Sequence, residues 1–141
     1  MIRLAVAADV PRLVEMGLRF RGSSAYRRYV VENAEQMTST ATMLVERGGM
    51  LVSDRDGCVV GMLGYILFPH FLSGETVASE VCWWVEPEYR GEGLKLLRAA
   101  ETHAKERGAV HMQMIAPSDQ VASIYQRCGY QFVEAAYQRT L

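Results

Sequence analysis

"EPEYRGEGLKLLRAAE", residues 86–101, places Gly91 and Gly93 one residue apart at the start of a helical pattern. Glycine is about 1 kcal/mol worse than alanine in a helix, so the pair needs a reason. A tight turn is one, and a backbone that something must approach closely is the other. The amides of a helix's first turn have no partner inside the helix. With the helix dipole behind them they favour an anion, and missing β-carbons let a phosphate come close. The stretch therefore reads as a phosphate-binding turn, with a chain reversal that holds no ligand as the alternative. The ligand class is narrowed by two absences. No Walker run of Gly-x-x-x-x-Gly-Lys occurs, and the dinucleotide pattern Gly-x-Gly-x-x-Gly fails at Leu96, where its third glycine belongs.

The second group with chemistry is Glu80, the single acid inside "TVASEVCWWV", Thr76–Val85. A carboxylate among Val, Cys and Trp is costly unless it is paired or faces a cleft. Burial would raise its pKa toward the range of a working base. An arginine partner or a place at the sheet rim would explain it equally well. Arg19, Arg21, Arg27 and Arg28 crowd into "RFRGSSAYRRY", either to recognise an acidic acceptor or as a solvated face. Trp83 and Trp84 are adjacent on a strand and face opposite ways, so at least one belongs to the core.

These residues need elements to hold them. "IRLAV" (Ile2–Val6) reads as a strand, after which Asp9 caps a helix through Phe20, with Pro11 tolerated in its first turn. Helical spacing of Tyr26, Tyr29, Val30, Ala34 and Met37 predicts a second helix over Ala25–Met37, with a short helical piece on to Arg47. Asp56-Gly57 turns a hairpin between Met50–Asp54 and Cys58–Phe68. Thr76–Val85 is apolar on both faces and therefore central in a sheet. A helix follows over Gly93–Arg107, then a strand at Val110–Ile115, a helix from Ser118 to Arg127, and a last strand in "YQFVEAAYQRT". The order is β-α-α-β-β-β-α-β-α-β, an α/β sheet of mixed direction, with a parallel pair joined by a right-handed crossover through the Gly93 helix.

The bulk numbers agree with one domain over residues 1–141, long enough for a sizeable core. Half the residues are apolar and the formal charge is −1, which argues against disorder, nucleic-acid binding and other polyanion binding. Cys58, Cys82 and Cys128 are scattered, and so are the three histidines, so neither disulfides nor a metal is expected. No signal peptide and no apolar run near 20 residues is present, which points to a cytoplasmic protein outside the membrane.

"VEPEYRGEGLKLL" resembles the acetyl-CoA-binding segment of the GNAT superfamily of N-acetyltransferases. That signature is Gln/Arg-x-x-Gly-x-Gly/Ala after a strand ending Val-x-Pro, and Arg90, Gly91, Glu92, Gly93 and Leu94 fit its first five positions. "SDQVASIYQRCGY" is similar to the family's second motif and puts Tyr125 and Gly129-Tyr130 at its spacing. The chain departs from the family at Lys95, which takes a Gly/Ala position, and at Ser118, which takes an Asn position. Lys95 would either crowd the pyrophosphate or add a point charge to it.

The resemblance implies a largely antiparallel sheet, helices on both faces and a splayed parallel strand pair. It implies transfer of an acetyl group from acetyl-CoA to an amine, by direct attack through a tetrahedral intermediate. The pantetheine would pair with backbone near Trp84 and Val85, and residues 90–95 with Ser118 would complete the cofactor site. An amine titrating at about 10.4 is neutral in less than about one part in a thousand at pH 7, so a base is useful, and Glu80 is the candidate. Tyr125 would hydrogen-bond the departing thiolate. A CoA-binding or interaction module that has lost the chemistry is the alternative, and the last strand offers an edge at which two copies could pair as a homodimer.

Overall fold

A computed structural model describes all of residues 1–141. Five strands stand in the order of the chain: β1 (Ile2–Leu4), β2 (Met50–Arg55), β3 (Cys58–Pro69), β4 (Thr76–Val85) and β5 (His111–Gln113). The first four pair antiparallel and β4–β5 pair parallel. The helices are α1 (Val10–Ser23), α2 (Ala34–Glu46), α3 (Gly93–Glu106) and α4 (Asp119–Arg127). Strand alternation sends Val52, Met62 and Trp84 toward Leu13 and Met16 of α1 and Leu44 of α2. It sends Leu51, Leu63 and Tyr65 to the other face, where Leu96, Leu97 and Ala100 of α3 cover them. The mixed sheet with helices on both faces matches the reading from sequence.

The hairpin turn is at Asp56-Gly57, with both residues at positive φ (54° and 84°), as a two-residue turn between twisted strands requires. Gly49 serves a different need. A β-carbon there would lie 2.2 Å from the Tyr65 carbonyl oxygen, and backbone cannot step aside cheaply. Gly49→Ala is expected to cost about 1–3 kcal/mol, read as a lower urea midpoint at unchanged m.

Three local expectations are corrected. Asp9 stands at the N-cap position of α1 but its carboxylate does not cap the helix. It pairs with Arg3 at 2.8 Å and accepts the Val6 N–H at 2.8 Å. The second helix does not cover Ala25–Met37. Ala25–Arg28 is a single 3-10 turn, and α2 begins at Ala34, where Asn33 accepts the Gln36 N–H at 2.9 Å. Tyr26, Tyr29 and Val30 are exposed, so their helical spacing had no core to bury into, and the Asn33 cap decided the start. The last strand is absent: residues after α4 take no regular structure, with Phe132 78% and Tyr137 96% exposed. A strand-forming composition needs a covered face as well as a pattern, and beyond Tyr130 this segment has none.

Candidate active site

The parallel pairing is short. β5 meets β4 only through Val77↔His111, Ala78↔Met112 and Ser79↔Gln113, whereas β4 runs on to Val85. Beyond Ser79 the two chains part, and the edge of β4 that faced β5 is left without a strand partner. Glu80 sits at this fork. Its Oε2 accepts the Ile115 N–H at 2.9 Å and no arginine reaches it. Burial pushes its pKa up to about 7, opposed only by that one hydrogen bond.

Tyr125 comes to the same residue, Ile115, from α4. Its hydroxyl donates to the Ile115 carbonyl at 3.2 Å, and its ring stacks on Trp83 at 5.6 Å between centroids. Burial first, and then the nearby Glu80, push the phenol well above its ordinary value, so Tyr125 remains a proton-bearing donor. Ser118 caps α4 by accepting the Val121 N–H at 3.3 Å, which fixes the start of the helix that carries Tyr125. Glu80 and Tyr125, distant in sequence, thus hold the N–H and the carbonyl of one residue, Ile115.

A feature the sequence reading missed lies next to them. Gly64 pairs with Cys82 and Tyr65 with Glu80, so the β3 register skips Val81. β5 has already ended, which leaves Val81 outside both ladders, as in a β-bulge. The extra residue breaks the alternation of β4. Ala78 packs with the α3 core, while Cys82 joins the α1–α2 core. Partly buried there, the Cys82 thiol is pushed up by desolvation to about 12 and carries no thiolate at neutral pH. Nothing in "SEVCW" signals a bulge, because it holds neither glycine nor proline and the skipped residue, Val81, is itself a good strand former.

At the far end of β4 the two glycines prove to have different reasons. Pro87–Glu92 forms a 3-10 turn that runs straight into α3, with the Gly93 N–H donating to the Arg90 carbonyl. Neither glycine has positive φ. A β-carbon on Gly91 would meet nothing within 4 Å, so that backbone is open to approach. On Gly93 it would lie 3.3 Å from the Trp83 ring, a packing constraint between helix and strand.

Glu92 and Lys95 form a pair of their own. The buried Glu92 carboxylate bonds Lys95 at 3.0 Å, Ser53 Oγ at 3.2 Å, and the Arg55 guanidinium. Lys95 first, then Arg55 and Ser53, hold its pKa down to about 2. Ser53 and Arg55 belong to β2, two strands from β4, so the Lys95 ammonium is tethered on the side away from the fork. Arg90 lies over the Trp84 ring at 4.9 Å, Leu94 is half exposed, and Trp84 and Val85 are buried in side chain. Of the arginine cluster, Arg19 pairs with Glu15 and Glu86, and Arg21 bonds the Val30 carbonyl. Arg27 and Arg28 ride the exposed 3-10 turn.

The family model described as the acetyltransferase (GNAT) family matches residues 18–130. The chain belongs to that family. Acyl transfer with acetyl-CoA is the chemistry of GNAT proteins, and the fork, the bulge and the Gly91 turn in this GNAT chain lie within the matched residues. Solved structures share the fold at low identity. A transcriptional regulator from Bacillus halodurans C-125 is similar over 100% of this chain and 99% of its own, with TM-score 0.80 and 18% identity. An aminoglycoside acetyltransferase from an uncultured soil metagenomic sample, in complex with sisomicin, aligns over 100% and 95%, with TM-score 0.74 and 17% identity. A predicted acetyltransferase from Clostridium acetobutylicum, solved with acetyl-CoA, aligns over 99% and 95%, with TM-score 0.75 and 18% identity. A search of the curated proteins by sequence finds no match. No helix is long and apolar enough to cross a membrane.

Proposed function

We propose that the protein is a cytoplasmic N-acetyltransferase, moving the acetyl group of acetyl-CoA to an amine of a small molecule or a protein. The observation that carries this reading is the fork between β4 and β5, with Glu80 and Tyr125 meeting at Ile115. The residues present fit the co-substrate in two places. The backbone of β4 from Glu80 to Val85 offers an open edge along which an extended amide chain can pair. The turn at Gly91 leaves room for a phosphate at the backbone before α3.

In this reading Trp84 and Val85 hold the pantetheine arm through their backbone. Arg90, Gly91, Glu92, Gly93, Leu94 and Lys95 surround the diphosphate, and Ser118 sets the helix beyond it. The amine attacks the thioester carbonyl, the nitrogen–carbon bond forms, and the carbon–sulfur bond breaks from the tetrahedral intermediate. Glu80 takes the proton that the amine nitrogen loses. Tyr125 gives a hydrogen bond to the sulfur as it leaves with the electron pair, and the proton returns to that thiolate. An acceptor amine such as an aminoglycoside's, and pairing of two copies into a homodimer, are compatible with this reading.

The Glu92–Lys95 contact favours a second reading, a binding module without turnover, because it commits the one extra cation of the turn to the chain itself. Two measurements separate the readings: calorimetric titration with acetyl-CoA for binding, and thiol release over a panel of amines for turnover. Gly91→Val tests the phosphate turn. Its side chain meets nothing in the fold, so the melting temperature should hold within about 2 °C. Affinity for acetyl-CoA should fall by about tenfold or more, roughly 1.4 kcal/mol. Unchanged affinity would place the diphosphate elsewhere.

A further inference from the structure

Glu86 is a buried acid that the chemistry above does not use. It stands between the last residue of β4 and Pro87, and it is 3% exposed. Its Oε1 accepts from Arg12 at 2.8 Å and from Arg19 at 2.9 Å, both on α1. Its Oε2 is buried and has no partner at all. The two arginines are themselves braced. Both pair with Glu15 at 2.8 Å, and Arg12 Nε donates to the Val59 carbonyl at 3.0 Å. Through its backbone Glu86 donates to the Val60 carbonyl of β3 and accepts the Tyr89 N–H, the bond that opens the 3-10 turn.

A charge withdrawn from water costs several kcal/mol, and a whole buried ion pair or triad can commonly be replaced by well-packed apolar side chains at no loss of stability, although removing one partner alone is destabilising. An orphaned carboxylate oxygen adds to that cost. Stability alone therefore does not account for Glu86. Two planar guanidinium groups converging on one oxygen do account for something else, because they fix its direction. The residue so fixed is the one from which the turn to Gly91 and Gly93 departs. We infer that Glu86, clamped by Arg12 and Arg19, is a positioning residue that sets the phosphate turn against α1 and so governs acetyl-CoA affinity; this rests on the acetyl-CoA reading above. The same clamp ties α1, which also carries the half-exposed Arg19, to the cofactor turn, so a ligand that displaces Arg19 would be felt there.

The test compares Glu86→Leu, Glu86→Gln and Arg19→Met with wild type by calorimetric titration of acetyl-CoA and by thermal melting. Glu86→Leu should lower the melting temperature, because Arg12 and Arg19 lose their shared acceptor, and, titrated where it is fully folded, should weaken acetyl-CoA binding by about 10–100-fold. Glu86→Gln, whose amide oxygen still accepts, should recover part of that loss. Arg19→Met, at a half-exposed position that leaves the fold intact, should weaken binding by a smaller factor in the same direction. Wild-type affinity in Glu86→Leu or in Arg19→Met, measured at a temperature where each variant is fully folded, overturns the inference. A wild-type protein that binds no acetyl-CoA overturns the cofactor reading itself, a distinct result visible before any variant is made.

Discussion

Tyr125→Phe lowers kcat by about 10²–10³ and leaves the acetyl-CoA Kd where it was. The hydroxyl's one bond in the fold is to the Ile115 carbonyl at 3.2 Å, long enough to be given up when a better acceptor arrives. The ring does the packing, stacked on Trp83 and tilted against Tyr130, and phenylalanine keeps both contacts. Burial raises the phenol's pKa, so the proton is present to be offered throughout the neutral range. A thiolate forms only as the carbon–sulfur bond breaks, and an interaction made only then changes kcat and spares ground-state binding. A tyrosine that serves the core alone gives the reverse, a lowered melting temperature at unchanged turnover. Measuring kcat, Kd and melting temperature on one preparation decides between them.

Glu80→Gln is expected to cost about 10²–10⁴ in rate at neutral pH, the usual worth of a positioned base. The amide oxygen of glutamine can still accept the Ile115 N–H, so the fork should stay closed at its apex. In wild type the rate should rise about tenfold per pH unit up to about 7 and then level, because only the ionised carboxylate accepts a proton. The variant should lose that inflection. Stability carries the same signature with a definite sign. The folded carboxyl holds its proton to about 7, whereas the unfolded one releases it near 4.5. Between those values the folded state binds more protons, so raising the pH lowers stability across that window and not outside it. Subtracting the Glu80→Gln curve from the wild-type curve isolates this term. If both the rate and the inflection survive in the variant, the proton goes to solvent or to another group.

The residues that advertised this site in the sequence were those whose type conflicts with their surroundings. Glycines at a helix start and an acid inside an apolar strand each violate a local preference, a serine before a helix satisfies one, and both kinds of signal are visible in one dimension. The same holds for the Asp56-Gly57 hairpin and for β4, whose apolar faces marked it as an inner strand. Where a reading leaned on periodicity alone it drifted, because spacing describes a face without saying that anything covers it. Tyr26 to Val30 had helical spacing and the chain after Tyr130 had strand composition, and neither found a core.

Tertiary structure alone decided the rest. Glu80 and Tyr125 meet at one residue, Ile115, because β5 stops at Gln113 while β4 continues, a relation between chain segments with no mark in either. The Val81 bulge depends on what β3 pairs with, so no residue of β4 announces it. Gly91 and Gly93 look alike in sequence and part only when Trp83 is placed under one of them. Arg55 is drawn to Glu92, and Glu86 to two arginines more than sixty residues earlier, by charges brought close through the packing of α3 on β2 and of α1 on the sheet. Residue type set which groups could do chemistry in this protein. Which of them face one another was set by strand length, register and helix docking, and these are outcomes of the whole chain burying its apolar surface at once.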